Sequence, residues 1–167
     1  MIKDVFNHLP EMNRQVRKMS HTAVQVGVLP NEDSFIKMIA VVHEYGVHIT
    51  PKKGRWLYVP GPNGEVYKLD HVDIPRRSFL RSTYADKRRK WEKFQDDGVQ
   101  KIRRREMTAN ELQRELGEMA QNDIRTRIRL KRSPKNAPLT VANKGKNDPL
   151  VDTGKLEKSI KYRIVKI

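Results

Sequence analysis

Asp148-Pro149-Leu150-Val151-Asp152-Thr153-Gly154-Lys155-Leu156-Glu157-Lys158-Ser159-Ile160-Lys161-Tyr162-Arg163-Ile164-Val165-Lys166-Ile167 reads as a cap, a short helix and a strand with no spare residues between them. Pro149 has no backbone N–H and holds Asp148 extended. Asp152 or Thr153 is then placed to accept from the free N–H groups that open a helix, with Leu156 and Ile160 one turn apart on its inner face. Beyond Ser159 the period falls from about four to two. Ile160, Tyr162 and Ile164 point one way, Lys161 and Arg163 the other. The stretch predicts a closing β-strand that completes a sheet.

Working outward, Val5, Leu9, Met12, Val16 and Met19 recur at helical spacing, with Pro10 either kinking that helix or standing in a first turn. Thr22 to Leu29 alternates, with Val24, Val26 and Val28 on one face of a strand. Asp33 or Ser34 caps a second helix whose shared face is Phe35, Ile39 and Val42, and Gly46 is its expected left-handed stop. From Val47 to Leu69 the reading is β. Asn63-Gly64 turns a hairpin, which is either an arm reaching over a neighbour or a meander at a sheet edge. Ile74-Pro75 ends the β part.

Two long helices follow. The first carries Leu80, Tyr84, Trp91, Phe94 and Ile102 inward and is loosened at Asp96-Asp97-Gly98. The second opens on a Thr108–Glu111 capping box and carries Leu112, Leu116, Met119, Ile124 and Ile128. The expected architecture is α+β: a small antiparallel sheet of about four strands packed with helices, including a long, basic, antiparallel helical pair.

The chain of 167 residues forms one domain, 1–167, with no repeats and no linker. Its apolar fraction of 37% against 33% charged predicts a thin core under long solvated helices. A net charge of +15 favours polyanionic partners, whether nucleic acid or an acidic protein surface. With no cysteine there is no disulfide, thiol chemistry or thiolate metal site. No apolar run approaches membrane-spanning length and no leader-like core stands near Met1, so a soluble protein made in a cytoplasm is expected.

After Leu130 the composition shifts. Arg125, Arg127, Arg129, Lys131, Arg132, Lys135, Lys144 and Lys146 face no Asp or Glu within their stretch. The segment 131–147 is expected to be a flexible basic loop with a brief helical possibility at Thr140 to Asn143. It is either mobile when free or ordered by an anionic partner.

Catalytic constellations are scarce. His43-Glu44 opens like a zinc-protease helix, but Val47 stands where the second histidine is required. His48 lies past the expected helix end. Asp70, His71 and Asp73 cluster without a third metal ligand in view. No phosphate loop, nucleophile elbow or spaced carboxylate pair stands out, and no enzyme, cofactor or metal is expected.

Three stretches, in order, carry a resemblance. Pro149 to Tyr162, P-L-V-D-T-G-K-L-E-K-S-I-K-Y, resembles the C-terminal signature of small neck and tail-completion proteins of tailed bacteriophages, the virion morphogenesis or minor tail component family. His43-Glu44-Tyr45-Gly46 and Ile74-Pro75-Arg76-Arg77-Ser78-Phe79-Leu80-Arg81 resemble the same family, which usually has a second proline or small residue near Arg77 and Ser78. The resemblance implies a structural virion protein, a homo-oligomeric and commonly six-fold ring. It would sit at the head–tail junction, between head-connector and tail-terminator or tail-tube proteins, after assembly in the host cytoplasm. Genomic DNA would pass through without being read. In that setting Pro149, Leu150, Asp152, Thr153, Gly154, Leu156, Ser159 and Ile160 are assigned to folding, and the eight cations to a neighbouring ring or the DNA channel. A non-specific nucleic-acid-binding protein is the alternative; a basic nuclease would have only His43, Glu44, His71 and Asp73 to work with.

Overall fold

The computed structural model describes residues 9–167, so Val5 of the first helical pattern lies outside the described residues. Helix α1 (Leu9–Ser20) has Pro10 in its first turn, where its missing N–H costs nothing. Met19 packs inward, whereas Met12 and Val16 are exposed, so of these three residues of the expected stripe only Met19 faces the core. Strand β1 (Thr22–Val28) pairs antiparallel with β6 (Ile160–Lys166) over its whole length, from Thr22↔Lys166 to Val28↔Ile160. The closing strand is as expected, although Ile164 is left exposed.

Helix α2 (Ser34–Tyr45) starts where Asp33 accepts from the Phe35 N–H at 2.6 Å. Its buried face is Ile36, Ala40 and Glu44, one residue round from the expected Phe35, Ile39 and Val42. Apolarity misleads there because the helix is apolar on most sides, and Phe35, Met38, Val41 and Tyr45 form an exposed stripe. Gly46 does end the helix with φ 78°, but with ψ 164° it is not in the left-handed helical conformation. A Cβ on Gly46 would lie 2.9 Å from the Arg76 nitrogen and 3.0 Å from the Ile74 oxygen. Glycine is required here for close backbone approach as well as for φ.

The β region is an arm. Strands β2 (Val47–Ile49), β3 (Leu57–Pro60), β4 (Val66–Leu69) and β5 (Val72–Ile74) fold back as one hairpin. Its root pairs β2 with β5 and its tip pairs β3 with β4, and neither ladder joins β1–β6. The expected four-stranded sheet is therefore three two-stranded ladders. Tyr58, Val66 and Tyr67 are exposed on the arm, which has no buried face with which to dock on the main ladder.

Helices α3 (Leu80–Arg103) and α4 (Ala109–Leu130) form the long antiparallel pair, tied by Trp91 Nε1 donating to Asp123 at 2.8 Å. Lys90 joins the same carboxylate at 3.0 Å. The Thr108–Glu111 capping box is present in both directions. Tyr84 faces outward against Trp91 instead of inward. Gly98 does not loosen α3; it is buried against Leu112, and its lack of a side chain lets the helices meet. On α4 the buried face includes small residues, Gly117 and Ala120, because the β1–β6 ladder crosses there.

Helix α5 (Pro138–Lys144) and the single turn α6 (Lys155–Lys158) complete the order. The expected side-chain cap on α6 is absent: Gly154, at φ 76° and ψ 3°, takes the cap position, and Asp152 and Thr153 fall too early to reach the first turn. Leu156 and Ile160 are buried as expected, in a core with Ala40, Phe79, Ile124, Ile128 and Leu150. A second cluster, Ile102, Ala109 and Leu112, closes the far end of the helical pair.

Gly117→Ala tests the contact between α4 and the ladder. A Cβ there would lie 2.3 Å from Tyr162 Cδ2 and within 2.8 Å of two further ring atoms. Overpacking costs about 1–3 kcal/mol and outweighs the roughly 1 kcal/mol that alanine gains in a helix. Thermal unfolding should show a net loss of about 1 kcal/mol, whereas Asp152→Ala should stay within about 0.5 kcal/mol of the parent chain.

Candidate functional site

The first N–H groups of any helix lack partners inside it, and Phe79, at the cap position of α3, has no side chain that can accept. Glu44, in the last turn of α2, supplies the missing acceptor from another element. Its Oε1 accepts from Ser78 Oγ at 2.6 Å, from the Arg81 N–H at 3.1 Å and from Arg81 Nε at 3.0 Å. Its Oε2 accepts from the Phe79 N–H at 2.8 Å and the Leu80 N–H at 3.0 Å. Only 4% of Glu44 is exposed. Burial pushes its carboxyl up, but the bonds from Ser78, Leu80, Phe79 and Arg81 together hold it below the usual value. Arg81 also donates to the Glu44 carbonyl at 2.9 Å and lies over the Tyr45 ring at 4.4 Å.

One residue earlier on each side, the Arg77 N–H donates to the His43 carbonyl at 2.7 Å. The Arg77 side chain is buried and donates through Nε to Pro134 O and through Nη2 to Lys135 O, both at 2.8 Å. This draws the start of the basic segment against α2. Between them opens a cleft of about 470 Å3, to which all three resembling stretches contribute: His43; Ile74, Pro75 and Arg77; and Pro149, Leu150 and 152–156. Burial first, then the nearby charges of Arg77 and Lys144, press the His43 imidazole down to about 4.

The remaining signature residues have structural positions. Pro149, Leu150 and Ser159 are buried, with Ser159 Oγ donating to the Leu156 carbonyl at 2.7 Å. Arg76 is exposed and Leu80 packs on the core. The eight cations do not form one free patch. Arg125 donates to the Ile160 carbonyl at 2.8 Å, Arg127 pairs with Asp86, and Arg129 pairs with Glu157 at 3.0 Å. Arg132 reaches Asp148 at 3.3 Å, Lys144 donates to Asp148 O at 2.8 Å, and Lys146 donates to Asp152 O at 3.3 Å. Lys131 and Lys135 have no acidic partner among the described residues. Acids from outside the stretch thus reach in, which its local composition hides.

The residues available to a nuclease separate. Glu44 is fully occupied at the α3 cap. His48, Asp70, His71 and Asp73 meet at the arm's root, where His48 Nδ1 lies 2.5 Å from Asp73 and His71 bridges Asp70 at 2.9 Å and Asp73 at 3.3 Å. All four are exposed, and no group of three or more His, Asp or Glu is placed to hold a metal among the described residues. Sequence reasoning missed the pairing of Glu44 with the α3 start, because the two lie on different elements.

Comparison of the chain with protein-family models, curated proteins and solved structures gave no match.

Glu44→Ala strands the Phe79, Leu80 and Arg81 N–H groups and removes the partner of a buried charge network. It should cost about 3–5 kcal/mol in chemical denaturation. His43 gives a separate pH signature. The unfolded imidazole takes its proton near 6.5 and the folded one only near 4, so the unfolded state binds more protons between those values. This contribution is therefore full above pH 6.5 and is lost as pH falls towards 4. Urea midpoints measured across that window should show a smaller slope for His43→Gln.

Proposed function

We propose that this chain is a structural virion protein of a tailed phage, a ring subunit at the head–tail junction. The observation that carries the reading is that three stretches resembling that family, in the family's order, meet at Glu44 and the adjoining cleft. Two further features support it. The α2 stripe of Phe35, Met38, Val41 and Tyr45, and the arm residues Tyr58, Val66 and Tyr67, remain exposed on the single chain, as an assembling subunit requires. The two surfaces differ, so repeated contact between them is head-to-tail and closes a ring when the rotation permits. Lys131 and Lys135 then face either an acidic neighbouring ring or passing DNA.

Deleting the gene from its phage should leave DNA-filled heads and separate tails in electron micrographs, with the intact chain restoring virions when supplied in trans. The Lys131→Gln/Lys135→Gln chain should fold yet fail to restore joining. Normal virions after deletion would end this reading.

The rival reading, non-specific nucleic-acid binding, draws on the net charge of +15 and on the exposed Arg88, Arg89, Lys101, Arg103, Arg104 and Arg105 of α3 and its C-terminal turn. It requires tight duplex binding by the free subunit, weakening steeply with salt.

A further inference from the structure

We infer that the cleft beside His43 docks a peptide segment of another protein in which a carboxylate side chain stands next to an aliphatic one. Buried polar atoms in folded chains almost always find partners, because each gives up water on burial. Two here have none, Nδ1 of His43 and Nδ2 of Asn136, and both residues line the same cleft. Asn136 is tied to the far end of the basic segment by its backbone N–H, which donates to Asn147 Oδ1 at 3.0 Å. Both residues line the cleft, so a ligand seated in it lies beside them.

Charge decides what that group is. Arg77, Lys144 and Lys155 line the cleft against Asp73 and Asp152. Three cations against two carboxylates leave the lining net positive, so the balance favours an anion. Lys144 uses one N–H on the Asp148 carbonyl and has others to offer. The rest of the lining decides between anions. Ile36, Ile39, Ile74 and Leu156 give the cleft an apolar floor. A phosphodiester brings nothing to such a floor, whereas an aliphatic residue beside an acidic one fills it while the carboxylate meets the donors.

The inference rests on the assembly reading only for who supplies the segment. Peptide binding by a chain that proves dispensable for head–tail joining would leave the cleft's chemistry standing and remove the proposed function. The test is a heteronuclear NMR titration of the full chain with acetyl-Leu-Asp-Leu-amide, following the Asn136 side-chain amide and the His43 imidazole. Acetyl-Leu-Asn-Leu-amide, inorganic phosphate and a short DNA duplex serve as comparisons. Saturable shifts at both residues are expected, with affinity about tenfold weaker for the Asn peptide, the effect of losing one charge-assisted hydrogen bond. Asn136→Ala and Lys144→Gln should each weaken the Asp peptide by about fivefold or more while the remaining resonances stay in place. Absence of shifts at His43 and Asn136, or an equal response to the Asn peptide, would overturn the proposal. Tighter binding of phosphate or the duplex at these two residues would also overturn it and assign the cleft to nucleic acid.

Discussion

The Glu44 carboxylate is the fixed point of this molecule. It lies at the end of one helix and satisfies the start of another, so the two ends cannot separate without leaving charge and N–H groups buried and unpaired. Everything between residues 44 and 79 is consequently a closed excursion. The arm leaves the body at Gly46 and must return to Ile74 within contact distance of it, which the tight approach at Gly46 records. Arg77, fixed by the same return, holds the Pro134 and Lys135 carbonyls, and the residues that follow them, Asn136 and Ala137, line the cleft. A single ion thus orders the arm root, the long helix and the basic segment together.

What the sequence made legible follows from how local each signal is. Strand β1, strand β6, the Asp33 cap, the Thr108–Glu111 box and the Asn63-Gly64 turn are decided by neighbours a few residues apart, and all are present. The failures are tertiary. The orientation of α2 was misread because an apolar residue on an almost wholly apolar helix does not say which side is inward. Tyr84 has helical spacing that fits the core, yet Thr83 takes the buried position, its hydroxyl donating to the Phe79 carbonyl. The four-stranded sheet failed because alternation identifies strands without identifying partners. Glu44 could not be read as a cap at all, since capping patterns are searched within one helix and its recipient lies 35 residues on.

Charge behaves similarly. Eight cations in a stretch without acids read as an open electropositive surface, but Asp86, Glu157 and Asp148 reach three of them, Arg127, Arg129 and Arg132, from elsewhere in the fold. The field offered to a partner is narrower than composition implies and is carried by residues such as Lys131, Lys135 and the outer face of α3. Formal charge therefore overstates the affinity for polyanions, while the location of the unpaired cations says which face meets them.

The β1–β6 ladder has a consequence for synthesis. Gln25 and Arg163 are bonded across it at 2.7 Å although they stand 138 positions apart. At ordinary elongation rates β1 leaves the ribosome on the order of ten seconds before its partner. During that interval Val26 and Val28 have no strand beside them, and the α3–α4 hairpin, made of near neighbours in sequence, is free to form first. The nascent chain is thus a helical hairpin trailing an unpaired strand, the species most open to holdase chaperones and to stray edge pairing, until Ile160 and Tyr162 emerge and close the molecule.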